Sequence, residues 1–272
     1  MRVAACQIST GLDKAANLVV VAQALRLAGE AGATLVLLPE ASMCGFGSLD
    51  TDLSAFAEDL EGPFVSALTQ MAGRSRAVIV AGMFEKADRT SVFNTVVAVA
   101  EGGLLAAYRK VHLYDSAGWC ESERFIQGEP GGSNAPVIEV GELAVGLLDC
   151  YDLRFPEAFR PLVDKGATVL AVPAAWIPGP AKQEQWRALL VARAIENTAY
   201  VVGAAQCAPH FCGGSCIIDP TGRVVSALGA LEGDVRPALA IGDIDPKAVD
   251  SARERLPVLA HRRFSVVPGS PA

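Results

Sequence analysis

The chain is short of aromatic residues, which fill 6% of its 272 positions, while hydrophobic residues as a class fill 51%. Its core must therefore be built from Ala, Val and Leu, the composition of sheets layered between helices. A Pro/Gly/Ser-rich linker and long charge runs are absent, so one domain spanning residues 1–272 is expected. Clustered basic residues are missing too. The 23 Lys and Arg are scattered against 30 Asp and Glu, for a net charge of -7, which excludes a basic footprint for nucleic acid or an anionic membrane. Every apolar run is interrupted by a charge, Pro or Gly before it reaches bilayer-spanning length. The seven cysteines include no C-x-x-C pair, and no signal-peptide pattern precedes the first expected strand. Reduced thiols and a cytoplasmic protein are the expectation.

What is present is an alternation of strand and helix patterns. Residues 2–8 read as a strand, and residues 13–31 as a helix whose Leu18, Val21, Ala22, Leu25 and Ala28 return at helical spacing. The continuous apolar run at 34–38 has the pattern of a strand covered on both faces, and it ends at Pro39-Glu40. Helix 63–74, strands 77–82 and 93–100, and a Glu101-Gly102-Gly103 turn follow, and a strand at 104–109 then delivers Lys110. A hairpin at 137–148 ends at Asp149-Cys150. Helix 156–165, strand 168–173, helix 183–197, strands 200–205, 215–219, 224–227 and 238–244, and helix 246–255 complete the pattern. An α/β or mixed α+β layered domain is predicted.

Three strand ends thus offer one titratable group each: Glu40, Lys110 and Cys150. Cys150 sits at a strand-to-helix corner, at the sheet edge where α/β proteins keep reactive groups. A carboxylate within reach can take a thiol's proton and return it to a leaving amine. When a thiolate adds to an amide or nitrile carbon, a fixed ammonium and the Tyr151 N–H can stabilise the charge that develops. From spacing alone the plainer alternatives stand: a packed cysteine, a helix-capping carboxylate and a solvated lysine at a strand end.

These residues lie in longer blocks. Leu37-Leu38-Pro39-Glu40, Tyr108-Arg109-Lys110-Val111-His112-Leu113 and the stretch from Gly146 through Glu157 resemble, in order and spacing, the three catalytic blocks of the nitrilase superfamily of carbon–nitrogen hydrolases. Ala192-Arg193-Ala194-Ile195-Glu196-Asn197, Gly214-Ser215 and Asp219-Pro220-Thr221-Gly222 are similar to its late helix and hairpin. The resemblance implies a four-layer αββα sandwich, with Glu40 as general base, Lys110 as oxyanion stabiliser and Cys150 as nucleophile. It implies a second glutamate at Glu121, with Glu123 as its rival, and no metal or organic cofactor. Copies are expected to associate as a homodimer or larger homo-oligomer through the helix after Cys150 and the one at 183–197.

Other residues compete for roles. Cys207, His210, Cys212 and Cys216 form the densest thiol and imidazole cluster, but their spacings match no common zinc pattern. His112 offers an alternative base for Cys150. Trp119, Trp176 and Trp186 are candidate pocket walls, set against the default of core packing. The substrate implied by the resemblance is a small amide, and finer similarities point to ω-amides of 2-oxo acids such as deaminated glutathione. N-carbamoyl amines or nitriles are alternative substrates, and a silent binding protein of the same fold is the alternative to an enzyme. Such an anion needs a cation beside Cys150 in a chain of charge -7. Arg154 is assigned that task, with Arg187 and Arg193 as further candidates, and Tyr151, Arg154 and Trp176 complete the expected substrate contacts.

Overall fold

The structure is a computed structural model that describes residues 1–116, 118–131, 134–229 and 236–267. The first half of the chain runs β1 (Arg2–Ile8), α1 (Lys14–Glu30), β2 (Leu35–Leu37), α2 (Pro63–Ser75), β3 (Val78–Lys86), β4 (Val92–Ala100) and β5 (Gly103–Arg109). A two-residue ribbon, β6 (Asp115–Ser116) with β7 (Trp119–Cys120), follows. Then come β8 (Val137–Val140), β9 (Leu143–Leu147), α3 (Pro156–Asp164), β10 (Val169–Ala174), α4 (Lys182–Asn197) and β11 (Tyr200–Gln206). The chain closes with β12 (Cys216–Ile218), β13 (Val224–Ala227), β14 (Ala238–Asp243) and α5 (Pro246–Arg255).

Strand pairing divides into two sheets, β5-β4-β3-β2-β1-β14 and β8-β9-β10-β11-β12-β13. Among the described residues they join only where the last residues of β1 meet the end of β11, Gln7 with Ala205 and Ile8 with Gln206. Alternation along the strands explains the layering. Val3 and Ala5 of β1 face a core shared with the second sheet, whereas Ala4, Cys6 and Ile8 face outward with Val21, Leu25 and Ala28 of α1 and Leu68 of α2. On the far side, Phe159 and Leu162 of α3 and Leu190 of α4 cover the second sheet. The result is the expected αββα sandwich. Local chemistry sets the helix ends. The Asp13 carboxylate accepts from the Ala15 and Ala16 N–H groups to start α1, and Pro63, Pro156 and Pro246 open α2, α3 and α5.

Strands β3, β2, β1, β11, β10 and β9 run parallel to one another, and β5 returns to the same direction through two antiparallel steps. Their carboxyl ends therefore share one edge, which brings 40, 110 and 150 together. α3 begins at Pro156, as expected, and between it and the strand that stops at Leu147, Cys150–Arg154 forms a 3-10 turn. The residue before a proline is driven out of the helical region, and Phe155 accordingly has φ -112 and ψ 96. Among the described residues no helix is long and apolar enough to cross a membrane.

Candidate active site

Glu40 leaves the end of β2 into a pocket with 1% of its surface exposed. Its Oε1 accepts from Lys110 Nζ at 2.8 Å and from Asn94 Nδ2 at 2.8 Å, and its Oε2 accepts from the Ala175 N–H at 2.7 Å. Gln206 Nε2 donates to its backbone carbonyl at 2.9 Å. The turn passes so close to β3 that a Cβ at Gly82 would stand 2.6 Å from Ala41 N and Glu40 Cα, so only glycine fits there. Lys110, equally buried, reaches from the end of β5 to both carboxylates, with Glu121 Oε2 at 2.9 Å. The Tyr114 N–H fixes Glu121 by donating to Oε2 at 2.7 Å. Glu123 is exposed, so Glu121 is the second glutamate at the lysine.

The charges follow from this packing. Burial pushes the Glu40 carboxyl upward, but the Lys110 ammonium and hydrogen bonds from Lys110 and Asn94 outweigh it and hold the group below its ordinary range. Burial also acts against the Lys110 ammonium, yet Glu121 and Glu40 keep it protonated. Glu121 is raised, by burial and by the Glu40 charge, against the pull of Lys110. The Cys150 thiol lies well above its usual value because it is buried and faces the Glu40 carboxylate. At neutral pH the arrangement is thiol and carboxylate, a base beside the group whose proton it must take.

Cys150 has φ 39, in the left-handed region that a residue with a side chain rarely occupies, and the 3-10 turn holds it there. Asp152 secures that turn. Fully buried, it accepts from Tyr108 Oη at 2.6 Å and the Asp149 N–H at 3.1 Å on Oδ2, and from the His112 N–H at 3.1 Å and His112 Nδ1 at 2.7 Å on Oδ1. One carboxylate thus ties the strand end carrying Lys110 to the turn carrying Cys150. His112 is committed there, and its ring stacks on Phe155 at 3.7 Å, so it is not the base for Cys150. The Asp152 N–H bonds the Asp149 carbonyl, and the two buried Asp149 carboxylate oxygens have no hydrogen-bond partner among the described residues.

A cavity of about 600 Å³ opens onto this cluster. Tyr151 and Trp176 line it as expected, and so does Trp119; Trp186 instead packs against Trp176 and donates to the Gly214 carbonyl at 2.9 Å. Arg154 is a correction. Its guanidinium lies 4.9 Å from the Trp176 ring centroid, bonds Gln185 Oε1 at 2.7 Å and does not line the cavity. Arg193 is held by the Leu153 carbonyl and Glu196, and Arg187 also lies off the cavity wall. The side chain nearest in sequence was not nearest in space, because the 3-10 turn carries Arg154 behind Trp176. Among the described residues no cluster of three or more candidate ligands could hold a metal, so Cys207, His210, Cys212 and Cys216 do not converge on one. Asn94, Ala175, Gln206, Tyr114 and Lys182 were not anticipated. Gln206 carried a signal as the single polar amide at the end of an apolar strand, and Asn94 as an amide beside Thr95 within one; the other three carried none.

The carbon-nitrogen hydrolase family model matches residues 2–254. The chain is 36% identical to the deaminated glutathione amidase of Escherichia coli O157:H7, over 97% of this chain and 98% of that one. The fold matches a mutant of the amidase from Nesterenkonia sp. AN1 that carries acrylamide added to its active-site cysteine, with TM-score 0.77 and 29% identity over 94% of this chain and 98% of that one. It also matches a Saccharomyces cerevisiae member of branch 10 of the nitrilase superfamily, with TM-score 0.83 and 28% identity over 97% of both chains.

Proposed function

The chain belongs to the carbon–nitrogen hydrolase family, within the nitrilase superfamily, and from that premise we propose that Cys150, Glu40, Lys110 and Glu121 carry out the amide hydrolysis of the family at this site. The observation that carries the assignment is the buried Lys110 ammonium between two glutamates, one of which also faces the Cys150 thiol. Cys150 Sγ attacks the amide carbon while Glu40 takes the thiol proton. The carbonyl π electrons move to oxygen, and the Lys110 ammonium and the Tyr151 N–H stabilise that charge. Collapse breaks the C–N bond, Glu40 gives its proton to the nitrogen, and ammonia from a primary amide, or the amine from a substituted one, leaves behind a Cys150 thioester. A water positioned by Glu121 then gives a proton to Glu40 and attacks the thioester. The Cys150 thiolate is expelled and takes the proton back, and the carboxylic acid departs. The residues that perform these steps are all protein side chains and backbone.

The proposed substrate is a small carboxylate-bearing amide, deaminated glutathione or another ω-amide of a 2-oxo acid. The name and full-length similarity of the Escherichia coli relative support that choice. Association of copies through α3 and α4, which flank the cavity, belongs to the same proposal. The test is ammonia release from an ω-amide, a carbamoyl amine and a nitrile, each with wild type and Cys150→Ala. Turnover of the amide that Cys150→Ala abolishes, with circular dichroism unchanged, is the expected result. Turnover confined to the nitrile or carbamoyl amine refutes the amide assignment, and undiminished turnover in Cys150→Ala refutes the nucleophile.

A further inference from the structure

Two lysines and no arginine line the cavity among the described residues: Lys110 and Lys182. Lys110 lies between Glu40 and Glu121, so its charge is already matched. Lys182 is different. Its Nζ has only uncharged neighbours: Tyr114 Oη at 3.4 Å, the Tyr114 ring centroid at 5.1 Å and the Trp176 ring centroid at 4.9 Å. None of the ion pairs among the described residues includes it.

Its place in the chain sharpens the point. Lys182 is the first residue of α4, the positive end of the helix dipole, where a lysine is disfavoured. The capping residue Ala181 offers no side-chain acceptor to offset this. The backbone is nevertheless fixed, since Trp176 Nε1 donates to the Lys182 carbonyl at 2.9 Å. A partly buried ammonium held between two aromatic rings, facing a cavity and lacking a counter-ion, is built to receive an anion. The reacting end, with two carboxylates against one ammonium, repels one.

We propose that Lys182, with the Tyr114 hydroxyl beside it, binds the carboxylate at the far end of an acyl chain whose amide lies at Cys150. The site thereby selects ω-amides of short dicarboxylic acids over neutral amides of equal length. This rests on the assignment of Cys150 as the amide-attacking nucleophile, and it gives the cavity the cation that Arg154 does not supply.

The test compares glutaramate with valeramide, which matches its chain length without the carboxylate, in wild type, Lys182→Met and Lys182→Arg. Wild type is expected to favour glutaramate in kcat/KM by about tenfold or more, the scale of one charge-assisted contact. Lys182→Met should raise KM for glutaramate by about tenfold with kcat little changed, the mark of lost ground-state binding. It should leave valeramide unaffected, and Lys182→Arg should restore most of the glutaramate affinity. An equal loss on both amides overturns the proposal in favour of a structural role beside Trp176, and absence of a wild-type preference overturns it as well. Calorimetric titration of Cys150→Ala with glutaramate reads the same contact without turnover. Affinity unchanged by adding Lys182→Met overturns the proposal there too. Glutaramate bound through Lys182 but never hydrolysed by wild type refutes the amidase reading alone.

Discussion

Removing the Tyr108 hydroxyl isolates one strand of the Asp152 junction. Tyr108→Phe keeps the ring in its buried place and deletes only the donor that sits 2.6 Å from Asp152 Oδ2. Burial, followed by the Asp152 charge, pushes the Tyr108 phenol well above its usual value, so the hydroxyl is a proton donor throughout the working pH range. A hydrogen bond to a buried charged acceptor contributes about 1.5–3 kcal/mol. For a chain of this size each kcal/mol moves the midpoint by about 2–4 °C, so Tm should fall by about 4–8 °C for a loss near 2 kcal/mol. Urea titration should show the midpoint moving with m unchanged. Because the same carboxylate holds the Asp149 N–H that precedes Cys150, kcat should fall by about tenfold with KM steady, the cost of a small misplacement of the nucleophile. The double variant Tyr108→Phe/Asp152→Asn should lose less than the sum of its parts, since both changes break one bond. A Tm shift under about 1 °C, or full additivity, would show that Asp152 gains nothing from the hydroxyl.

Two further expectations concern pH. The base must be ionised to act, and Glu40 is held below its ordinary 4.5, so the acid limb of kcat/KM should lie below pH 4.5. A limb centred near the imidazole range would point to a histidine base and exclude Glu40. The same depressed value means that the stability Glu40 contributes is present above the ordinary carboxylate range and fades as pH falls through its folded value. Asp149 has the opposite sign. Burial, then the Glu40 charge, raises its carboxyl well above 3.8, so its contribution is complete below that value and is lost as pH climbs to the folded one. Asp149→Asn should therefore gain Tm relative to wild type as pH rises from 4 to 8, and a difference that is flat or shrinks over that range contradicts the assignment.

The strand ends were legible because their chemistry is local. An apolar run that halts at Glu40, Lys110 or Cys150 marks its own boundary, and parallel strands have a common carboxyl edge. The pairing of β14 with β1 was not legible, since nothing in either strand names a partner more than two hundred residues away. The role of Asp152 was not legible, since three of its four hydrogen bonds go to Tyr108 and His112, some forty residues away, and form only after folding. The substrate cation failed for the same reason in reverse. Arg154 is close in sequence, yet the 3-10 turn leaves it off the cavity wall, which Lys182 lines instead.

The narrow seam between the sheets gives the chemistry an assembly condition. Glu40 and Lys110 end strands of one sheet, while Cys150 and the Ala175 N–H end strands of the other, and among the described residues the two sheets pair only at Gln7–Ala205 and Ile8–Gln206. Each leaf of the sandwich therefore owns half a reaction and can complete nothing alone. A slight parting of the leaves would withdraw the base from the thiol while every strand kept its own ladder. Catalysis in this molecule works as an alignment gauge for the sandwich, silent whenever the two leaves are out of true, and far less tolerant of misfit than the secondary structure that carries it.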